Sequence, residues 1–351
     1  MKITKTKLTP YSLPLHHRWQ SHANSFNTRQ GYLLQIEDER GYIGYGDCAP
    51  LPSQGTETAA SALETIEQQL THLAGVTVTD ALNRLPEMKS TPAARCAVES
   101  ALLDLVSKQQ NTPLYRWLNP KSSPKVLANA NIGALDQGID KRIAIALGQG
   151  YSVLKLKVGV YELKHELELL SQICSDLPPE IMLRLDANRA WDRATASGFL
   201  SQIKQLPIES LEEPLTQPEI DTLKQLQDET DISIALDETV AELEFESLHQ
   251  LQPLRRIILK PMALGGVLPA WHTGQLARSL GIETVVTTTI DSAAGVWAAA
   301  QLAAALDPNN EFKHGVATSD WLLQDLGAGP DIENGTITIP QTPGLGFIPW
   351  D

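Results

Sequence analysis

Two lysines, Lys155 and Lys157, alternate with apolar residues within the segment Leu154–Val158. Alternate residues of a β-strand share one face, so both ammonium groups are expected on the same side of a sheet. In an antiparallel sheet with one wet side, this pattern marks the solvated face. In a parallel sheet covered by helices, the two lysines would lose their hydration unless they serve a polar site.

Three acids hold equivalent places in the segments that follow, each where a strand is expected to end. Asp186, Glu212 and Asp237 are spaced by 26 and 25 residues. Taken singly, an Asp before a helix is an ordinary N-cap, and a Glu before a proline is an ordinary loop residue. Taken together, they predict three carboxylates converging at one end of a parallel barrel, where their repulsion requires a cation. Oxygen ligands of this kind favour Mg²⁺, with water and substrate oxygens completing its shell.

A further lysine, Lys260, ends the next strand-like segment. Counted round a barrel, Lys157 and Lys260 lie on opposite sides of the expected metal. This arrangement suits removal of a proton beside a carboxylate, because the resulting enediolate carries two negative charges that need positive partners. A lysine base must be neutral near pH 7, and a neighbouring ammonium lowers its pKa. We therefore assign Lys157 as the base and Lys155 as the residue that tunes it.

Short apolar segments alternate with amphipathic helical stretches through the last two thirds of the chain. From the second segment onward, they recur about every 23–29 residues, the length of one βα unit. This spacing predicts an α/β fold with a closed (β/α) barrel rather than an open sheet. The strand-like segments are Val126–Ala130, Val153–Val158, Met182–Asp186, Ser210–Glu212, Ser233–Asp237, Arg256–Lys260 and Thr284–Thr288.

The sequence of the first third predicts an antiparallel hairpin followed by helices. Tyr32–Ile36 and Gly41–Tyr45 flank a turn-like segment, and apolar residues recur at helical spacing in Ala59–Leu70 and Ala97–Val106. The proline-bearing stretch Asn119–Pro124 is the best candidate boundary. We predict an α+β domain over residues 1–120, a barrel over 121–324, and a tail over 325–351 that folds back onto the first domain.

The composition excludes several classes of protein. The 351 residues include 28 Lys+Arg and 42 Asp+Glu, a formal net charge of −14, which argues against nucleic acid and anionic membrane partners. The most apolar long run, Val296–Leu306, is too short to cross a bilayer. Three scattered cysteines, Cys48, Cys96 and Cys174, fit a reducing cytoplasm. We expect a cytoplasmic protein with a small-molecule carboxylate substrate, and its homo-oligomeric state is left open.

The polar residues above, in their order and spacing, resemble the enolase superfamily in its muconate-lactonizing-enzyme-like branch. The resemblance implies a modified TIM barrel, Mg²⁺ as cofactor, and an α+β capping domain built from the N-terminal third and the C-terminal tail. The residues that carry it are Lys155 and Lys157 of K-x-K, Asp186, Glu212 of E-E-P, Asp237 of D-E and Lys260 of K-P.

Within that branch, several loop segments are similar to the o-succinylbenzoate synthase family. This resemblance implies dehydration of 2-succinyl-6-hydroxy-2,4-cyclohexadiene-1-carboxylate, with Lys157 as base and Lys260 as a cation on the opposite side of the ring. The segments are Ala49–Pro52, Leu183–Trp191, Lys260–Gly266, Thr287–Ser292, His314–Thr318 and Pro343–Gly346.

The same resemblance suggests substrate-binding residues. The succinyl tail is expected to meet loop donors among Gly265, Gly266, Thr288 and Thr289. Asp291 is a further substrate-binding candidate. It stands where many relatives carry Glu, which leaves its role at that position open. The polar stretch from His16 to Asn27 is either a mobile surface loop or a lid over the barrel mouth, with Arg18 reaching inward.

Rival activities remain open. A dipeptide epimerase or N-acylamino acid racemase would use Lys157 and Lys260 on the two faces of one α-carbon, but the segment Asp291–Ala293 lacks the second Asp of an epimerase Asp-x-Asp. Muconate cycloisomerase uses the same catalytic set. An acid-sugar dehydratase is disfavoured because His272 falls in a predicted helix. A non-catalytic binding barrel is disfavoured because it would bury the charged lysines and acids, which is energetically unfavourable, without using them in a reaction.

Overall fold

A computed structural model of the protein describes residues 1–20 and 25–350. Its N-terminal region begins with a three-stranded antiparallel sheet in the order β1-β2-β3. Strands β2 and β3 pair with Glu37 opposite Ile43, which confirms the predicted hairpin. The strands are β1 (Ile3–Gln20), β2 (Ser25–Asp38) and β3 (Ile43–Cys48).

Four helices complete this region, and α3 lies directly against β3. The close approach depends on Gly44 and Gly46, because a Cβ atom at either position would overlap the backbone of α3 at Ala101 or Ala97. Nearly every residue of α3 is buried, so this helix forms the centre of the N-terminal core. The helices are α1 (Ala59–Leu70), α2 (Val78–Asn83), α3 (Pro92–Gln109) and α4 (Leu114–Leu118).

The predicted first barrel strand, Val126–Ala130, is wrong in its bounds and its partners. The chain forms two strands there, β4 (Lys125–Ala128) and β5 (Ala130–Ala134), and only β5 joins the large parallel sheet. The chain changes partners at Asn129, whose N–H donates to the carbonyl of His314 (2.9 Å). Its side-chain oxygen accepts from Arg184 in the barrel interior (3.1 Å).

Strands β5 to β11 form one parallel seven-stranded sheet in sequential order, with helices between them. The other six predicted strands agree with this sheet to within two residues at each end, which confirms the (β/α) barrel architecture. In chain order the elements are α5 (Ile139–Gly148), β6 (Val153–Lys157), α6 (Leu163–Asp176), β7 (Met182–Asp186), α7 (Arg193–Ile203), β8 (Ile208–Glu212), α8 (Ile220–Asp228), β9 (Ser233–Leu236), α9 (Glu238–Glu242), β10 (Arg256–Leu259), α10 (Pro261–Leu264), α11 (Val267–Ser279), β11 (Glu283–Val286) and α12 (Ala293–Leu306).

The barrel is closed by residues near the end of the chain. A parallel bridge joins Thr287 after β11 to Gly315, which follows β12 (Lys313–His314). Strand β12 pairs in parallel with β4, whose chain continues directly into β5. A hairpin of β13 (Ile332–Glu333) and β14 (Thr336–Thr338) pairs with the other edge of β4.

The residues after this hairpin contact the N-terminal region. The N–H of Leu345 donates to Asp104 on α3 (2.8 Å), and the ring of Phe347 meets Tyr45 of β3 edge-on at 5.3 Å. The hairpin itself pairs with β4 instead. The domain boundaries at residues 120 and 324 stay a prediction.

No helix in residues 1–20 and 25–350 combines the length and apolar character needed to cross a membrane.

Candidate active site

The polar residues of the barrel strands meet at their carboxyl ends, as barrel geometry requires. Lys157, Asp186 and Glu212 are the last residues of β6, β7 and β8 and lie side by side in the strand register. Asp237 and Lys260 follow directly after β9 and β10. Three acid-bearing strands therefore separate Lys157 from Lys260, which puts the two lysines on opposite sides of the acids.

The three acids form a compact cluster of oxygen atoms. Asp186, Glu212 and Asp237 are all buried, and one carboxylate oxygen of each lies within 4.8 Å of the others. Three buried carboxylates at this separation repel one another strongly unless positive charge lies among them. Their oxygens are hard ligands in number and type suited to Mg²⁺, so these residues fit a magnesium site.

Lysine ammonium groups contact every member of this cluster. Nζ of Lys155 lies 2.6 Å from both carboxylate oxygens of Glu212 and 2.8 Å from Oδ2 of Asp186. Nζ of Lys157 contacts the same Oδ2 at 2.7 Å. Lys260 forms a buried ion pair with Asp237. The structure thus brings together all six residues assigned to the metal and to proton transfer, whose roles stay predictions.

The cluster shifts the titration of its members in opposite directions. Burial alone would raise the pKa of Asp186, but the ammonium groups of Lys155 and Lys157 outweigh it and hold that pKa well below its usual range. Burial and the charge of Asp186 raise the pKa of Glu212, against a lowering by Lys155. Burial disfavours the charge of Lys260, but nearby carboxylates, Asp237 above all, outweigh it and raise its pKa. Lys260 is therefore a cation at neutral pH.

Lys155 is also held as a cation. Burial opposes its charge, but the carboxylates of Asp186, Glu212 and Asp237 outweigh this effect and raise its pKa. Its ammonium shares Oδ2 of Asp186 with Lys157, so the two Nζ atoms are close neighbours. The role of Lys155 as the residue that tunes Lys157 stays a prediction.

Two further glutamates hold the strand ends in place. Oε1 of Glu213 accepts from the N–H groups of Asp237 (2.8 Å) and Thr239 (2.7 Å), which fixes the backbone beside Asp237. Burial and the charge of Glu238 raise the pKa of Glu213 to about 7. Glu166 accepts from three successive N–H groups of the loop after β6, at Gly159, Val160 and Tyr161, and so orders the chain beyond Lys157.

A cavity opens above the cluster, between the barrel mouth and the N-terminal region. Asp186 is the only carboxylate among its lining residues in the part of the chain that the structure describes. The lining consists of Trp19, Leu51, Gln54, Asn129, Asn131, Lys155, Lys157, Asp186, Lys260, Thr287, Thr288, Thr289, Ile290, Gly315, Ala317 and Thr318.

Of the predicted substrate-binding residues, only Thr288 and Thr289 line this cavity. Gly265 and Gly266 face α3 instead. The carbonyl of Gly265 accepts from Arg95 (2.5 Å), and a Cβ at Gly266 would overlap Glu99. The short helix α10 separates both glycines from the strand end. Their proposed contact with a substrate tail is not supported by these positions.

Asp291 lies behind the cavity wall rather than in it. It accepts from the N–H (3.0 Å) and the hydroxyl (2.6 Å) of Thr289, and so orders that residue. Asp47 of β3 faces the same loop and accepts from the N–H of Ser292 (2.8 Å). Burial and the charge of Asp291 raise the pKa of Asp47 to about 7. A direct substrate contact by Asp291 is therefore not supported.

Arg18 does not enter the cavity either. Its side chain is exposed and donates to the hydroxyl of Ser25 (2.5 Å). The next residue, Trp19, turns inward instead and places its ring 5.1 Å from Nζ of Lys157. The predicted lid from His16 to Asn27 includes residues 21–24, which lie outside the described residues.

Sequence reasoning did not single out several residues of this site, among them Trp19, Gln54, Asn188 and Glu238. Asn188 accepts from Lys157 (2.6 Å), and Gln54 accepts from Lys260. Asn188 has a φ of +43°, in the left-handed region that Asn tolerates, and this turns its side chain back towards the strand end. Its position two residues after Asp186 was the available signal.

Comparison with known proteins gives matches over most of the chain. The family model described as "Enolase C-terminal domain-like" matches residues 140–349, and the one described as "MenC, N-terminal domain" matches residues 3–97. An o-succinylbenzoate synthase of Pasteurella multocida is 30% identical over 88% of this chain and 87% of its own length. An N-succinyl-L-Arg/Lys racemase of Bacillus cereus is 24% identical over 99% of this chain and 95% of its own.

A solved structure extends the comparison to the fold. The dipeptide epimerase of Enterococcus faecalis, complexed with Mg and the dipeptide L-Leu-L-Tyr, superimposes with a TM-score of 0.89 at 24% identity. The superposition covers 99% of each chain, so it includes the barrel and the N-terminal region together.

Proposed function

The chain belongs to the enolase superfamily, in its muconate-lactonizing-enzyme-like branch, and from that premise we propose that it is an o-succinylbenzoate synthase. In this proposal it dehydrates 2-succinyl-6-hydroxy-2,4-cyclohexadiene-1-carboxylate to 2-succinylbenzoate in menaquinone biosynthesis. The N-terminal match to the MenC domain and the synthase relative of Pasteurella multocida support this choice.

Mg²⁺ is the proposed cofactor, with Asp186, Glu212 and Asp237 as its protein ligands. The cluster of three buried carboxylate oxygens supports this assignment, as does the Mg in the related dipeptide epimerase. When bound, Mg²⁺ supplies positive charge that stabilises the negative charge developing beside the substrate carboxylate.

Lys157 acts as the base in this mechanism. As a neutral amine, it takes the proton from the ring carbon that bears the carboxylate. The resulting ammonium returns that proton to the hydroxyl group leaving the adjacent carbon, so that water departs and the ring becomes aromatic. Lys157 is neutral again at the end of the sequence. Lys260 stays protonated on the opposite side and stabilises the developing negative charge, in keeping with its raised pKa.

The observation that carries the choice of substrate is the chemistry of the cavity wall. The part of the wall formed after β11 and after β12 consists of Thr287–Ile290, Gly315, Ala317 and Thr318. A dipeptide carries an ammonium group that needs an acidic partner in a buried site. This wall offers hydroxyl groups and apolar surface, which suit a succinyl carboxylate and leave an ammonium group unpaired.

A second candidate is racemisation of N-acylamino acids. The two lysines on opposite sides of the acids could exchange one α-proton between the faces of a substrate, and acylation removes the ammonium group that the wall does not accommodate. The racemase relative of Bacillus cereus supports this candidate. The dipeptide epimerase alternative is disfavoured by the same wall.

The test is dehydration of the proposed substrate, followed by ultraviolet absorbance, with Mg²⁺ and with EDTA. We expect turnover that requires Mg²⁺ and falls by about 10²–10⁴-fold in Lys157→Ala, the usual contribution of a general base. Lys204→Ala, on the exposed surface of the barrel, is the matched control. Absence of turnover by the unaltered protein rejects the synthase. Deuterium exchange from D₂O into N-succinyl amino acids then tests the racemase.

A further inference from the structure

One carboxylate oxygen connects the two lysines that face the proposed substrate. Oε1 of Glu238 accepts from the amide Nδ2 of Asn188 (2.9 Å) and from the amide Nε2 of Gln54 (2.9 Å). The oxygen of Asn188 accepts from Nζ of Lys157 (2.6 Å), and the oxygen of Gln54 accepts from Nζ of Lys260. We name Gln54, Glu238 and Asn188 the amide bridge.

The amide bridge determines which end of each amide faces a lysine. A side-chain amide has an NH₂ group that only donates and an oxygen that only accepts. Because Glu238 accepts from both NH₂ groups, both oxygens must turn towards Lys157 and Lys260. Without Glu238, either amide is free to rotate and present its NH₂ group to a lysine, which replaces an attraction by a repulsion.

The bridge also fixes the orientation of each lysine nitrogen. Apart from its carbon, a lysine Nζ has three positions for protons or a lone pair. On Lys157, acceptors occupy two of them, Oδ2 of Asp186 and Oδ1 of Asn188. On Lys260, the two acceptors are Asp237 and Gln54. Within residues 1–20 and 25–350, no third acceptor contacts either nitrogen. In this inference the third position is the one that exchanges a proton with a substrate.

We propose that Glu238 is a positioning residue that aims Lys157 and Lys260 at the substrate through the amides of Asn188 and Gln54. Gln54 lies in a single turn of 3₁₀ helix, Pro52–Gln54, so the N-terminal region supplies one part of the catalytic centre. The inference rests on the proposed function only in taking the two lysines as groups that face the substrate.

Crystal structures of two Glu238 variants test the amide bridge without any substrate. In residues 1–20 and 25–350, Oε2 of Glu238 is buried without a hydrogen-bond partner. Glu238→Gln can therefore put its nitrogen at that place and keep an oxygen that accepts from both amides. Glu238→Leu removes both acceptors. We expect crystal structures to retain the Lys157–Asn188 and Lys260–Gln54 contacts in Glu238→Gln and to lose them in Glu238→Leu. Retention of both contacts in Glu238→Leu overturns the proposal.

Kinetics supply the second readout. Misplacing a reacting group by about 1 Å costs about 10²-fold in rate, so kcat should fall by about that factor in Glu238→Leu. Glu238→Gln should recover most of this loss, while KM and Mg²⁺ affinity change little in either variant. Gln54→Leu and Asn188→Leu should each reduce kcat as well, since each frees one lysine. Glu67→Gln, exposed on α1, is the control.

The outcomes distinguish this inference from the proposed function. If the unaltered protein turns over the substrate and Glu238→Leu matches Glu238→Gln in kcat, the positioning role is rejected and the synthase stands. If the unaltered protein does not turn over the substrate, the synthase fails, and the pair of crystal structures still decides whether Glu238 orients the lysines.

Discussion

The indole ring of Trp19 covers Nζ of Lys157, with 5.1 Å between that atom and the ring centroid. Trp19 comes from the end of β1, and its ring stacks edge-on against Trp321 at 4.8 Å. The N-terminal region therefore reaches the proposed base from above, while the barrel holds it from below.

The contact predicts that Trp19→Ala lowers activity. Lys157 becomes positively charged as it takes the proton, and a cation–π contact with that charge contributes about 0.5–2 kcal/mol. Loss of the ring also admits water, so kcat/KM should fall roughly tenfold. Trp19→Phe keeps an aromatic face and should lose less. Steady-state kinetics on both variants checks this, with the exposed Trp350→Ala as control. Equal losses in the Ala and Phe variants would contradict a role for the ring.

Asp186→Asn should weaken Mg²⁺ binding. Mutation of a residue that hydrogen-bonds to a metal ligand lowers metal affinity by about 10–100-fold. Loss of a direct ligand should therefore lower Mg²⁺ affinity by at least about 100-fold. Isothermal titration calorimetry measures this without any substrate. Asp228→Asn, on the exposed end of α8, should bind Mg²⁺ as the unaltered protein does. An unchanged affinity in Asp186→Asn would remove this residue from the metal site.

The strand ends made this cluster predictable from the sequence. Two features predict where Lys157, Asp186 and Glu212 lie. Each residue ends an apolar segment, and neighbouring segments are aligned in parallel. Gln54 and Trp19 were not predictable in this way. They reach the site through packing of the N-terminal region on the barrel mouth, which no spacing along the chain records.

Local geometry after the strands explains the remaining differences between the expected and the observed positions. Gly265 follows Lys260 closely in sequence, but α10 lies between them, and both glycines face α3 rather than the cavity. Asp291 follows β11, but its side chain turns back to Thr289 rather than into the cavity. At Asn129 the strand changes partners, a switch that depends on residues near the end of the chain.

The lack of acidic side chains among the described residues of the cavity wall after β11 and β12 predicts that an acid introduced there lowers the dehydration activity. Ala317→Asp places a carboxylate beside a substrate that carries two of its own, and at an effective dielectric of about 20 such repulsion reaches a few kcal/mol. The kcat/KM for dehydration should therefore fall by about 100-fold. Ala317→Asn is nearly the same size without the charge, and it should lose much less. Similar losses in both variants would show that size, not charge, governs this position.

The contact between Asp47 and the loop after β11 predicts a pH-dependent stability. Asp47 accepts from Tyr11 (2.7 Å) and from Ser292, and its pKa is raised to about 7 in the folded protein. Between about pH 4 and pH 7, the folded state therefore keeps a proton that the unfolded chain has lost. This contribution to the free energy of unfolding is complete below about pH 4 and is lost as the pH rises through 7.

Urea unfolding at pH 5 and pH 8 measures this effect. One proton gives a slope of at most about 1.4 kcal/mol per pH unit. Asp47→Asn cannot titrate, so the loss of stability between the two pH values should be smaller in that variant than in the unaltered protein. Asp228→Asn should keep the original slope. An unchanged slope in Asp47→Asn would assign the pH dependence to other groups.

Strand β4 has both of its neighbours, β12 and β14, in the last part of the chain. Leu127 pairs with Lys313 on one side and with Thr336 on the other. During synthesis on a ribosome, β4 emerges early. Both of its edges stay unpaired until the βα units that follow it have been made. Closure of the barrel is therefore a late event between distant parts of the chain, which is the kind of contact that slows folding. A nascent chain halted before β12 would carry the three clustered acids, Asp186, Glu212 and Asp237, on an unclosed sheet.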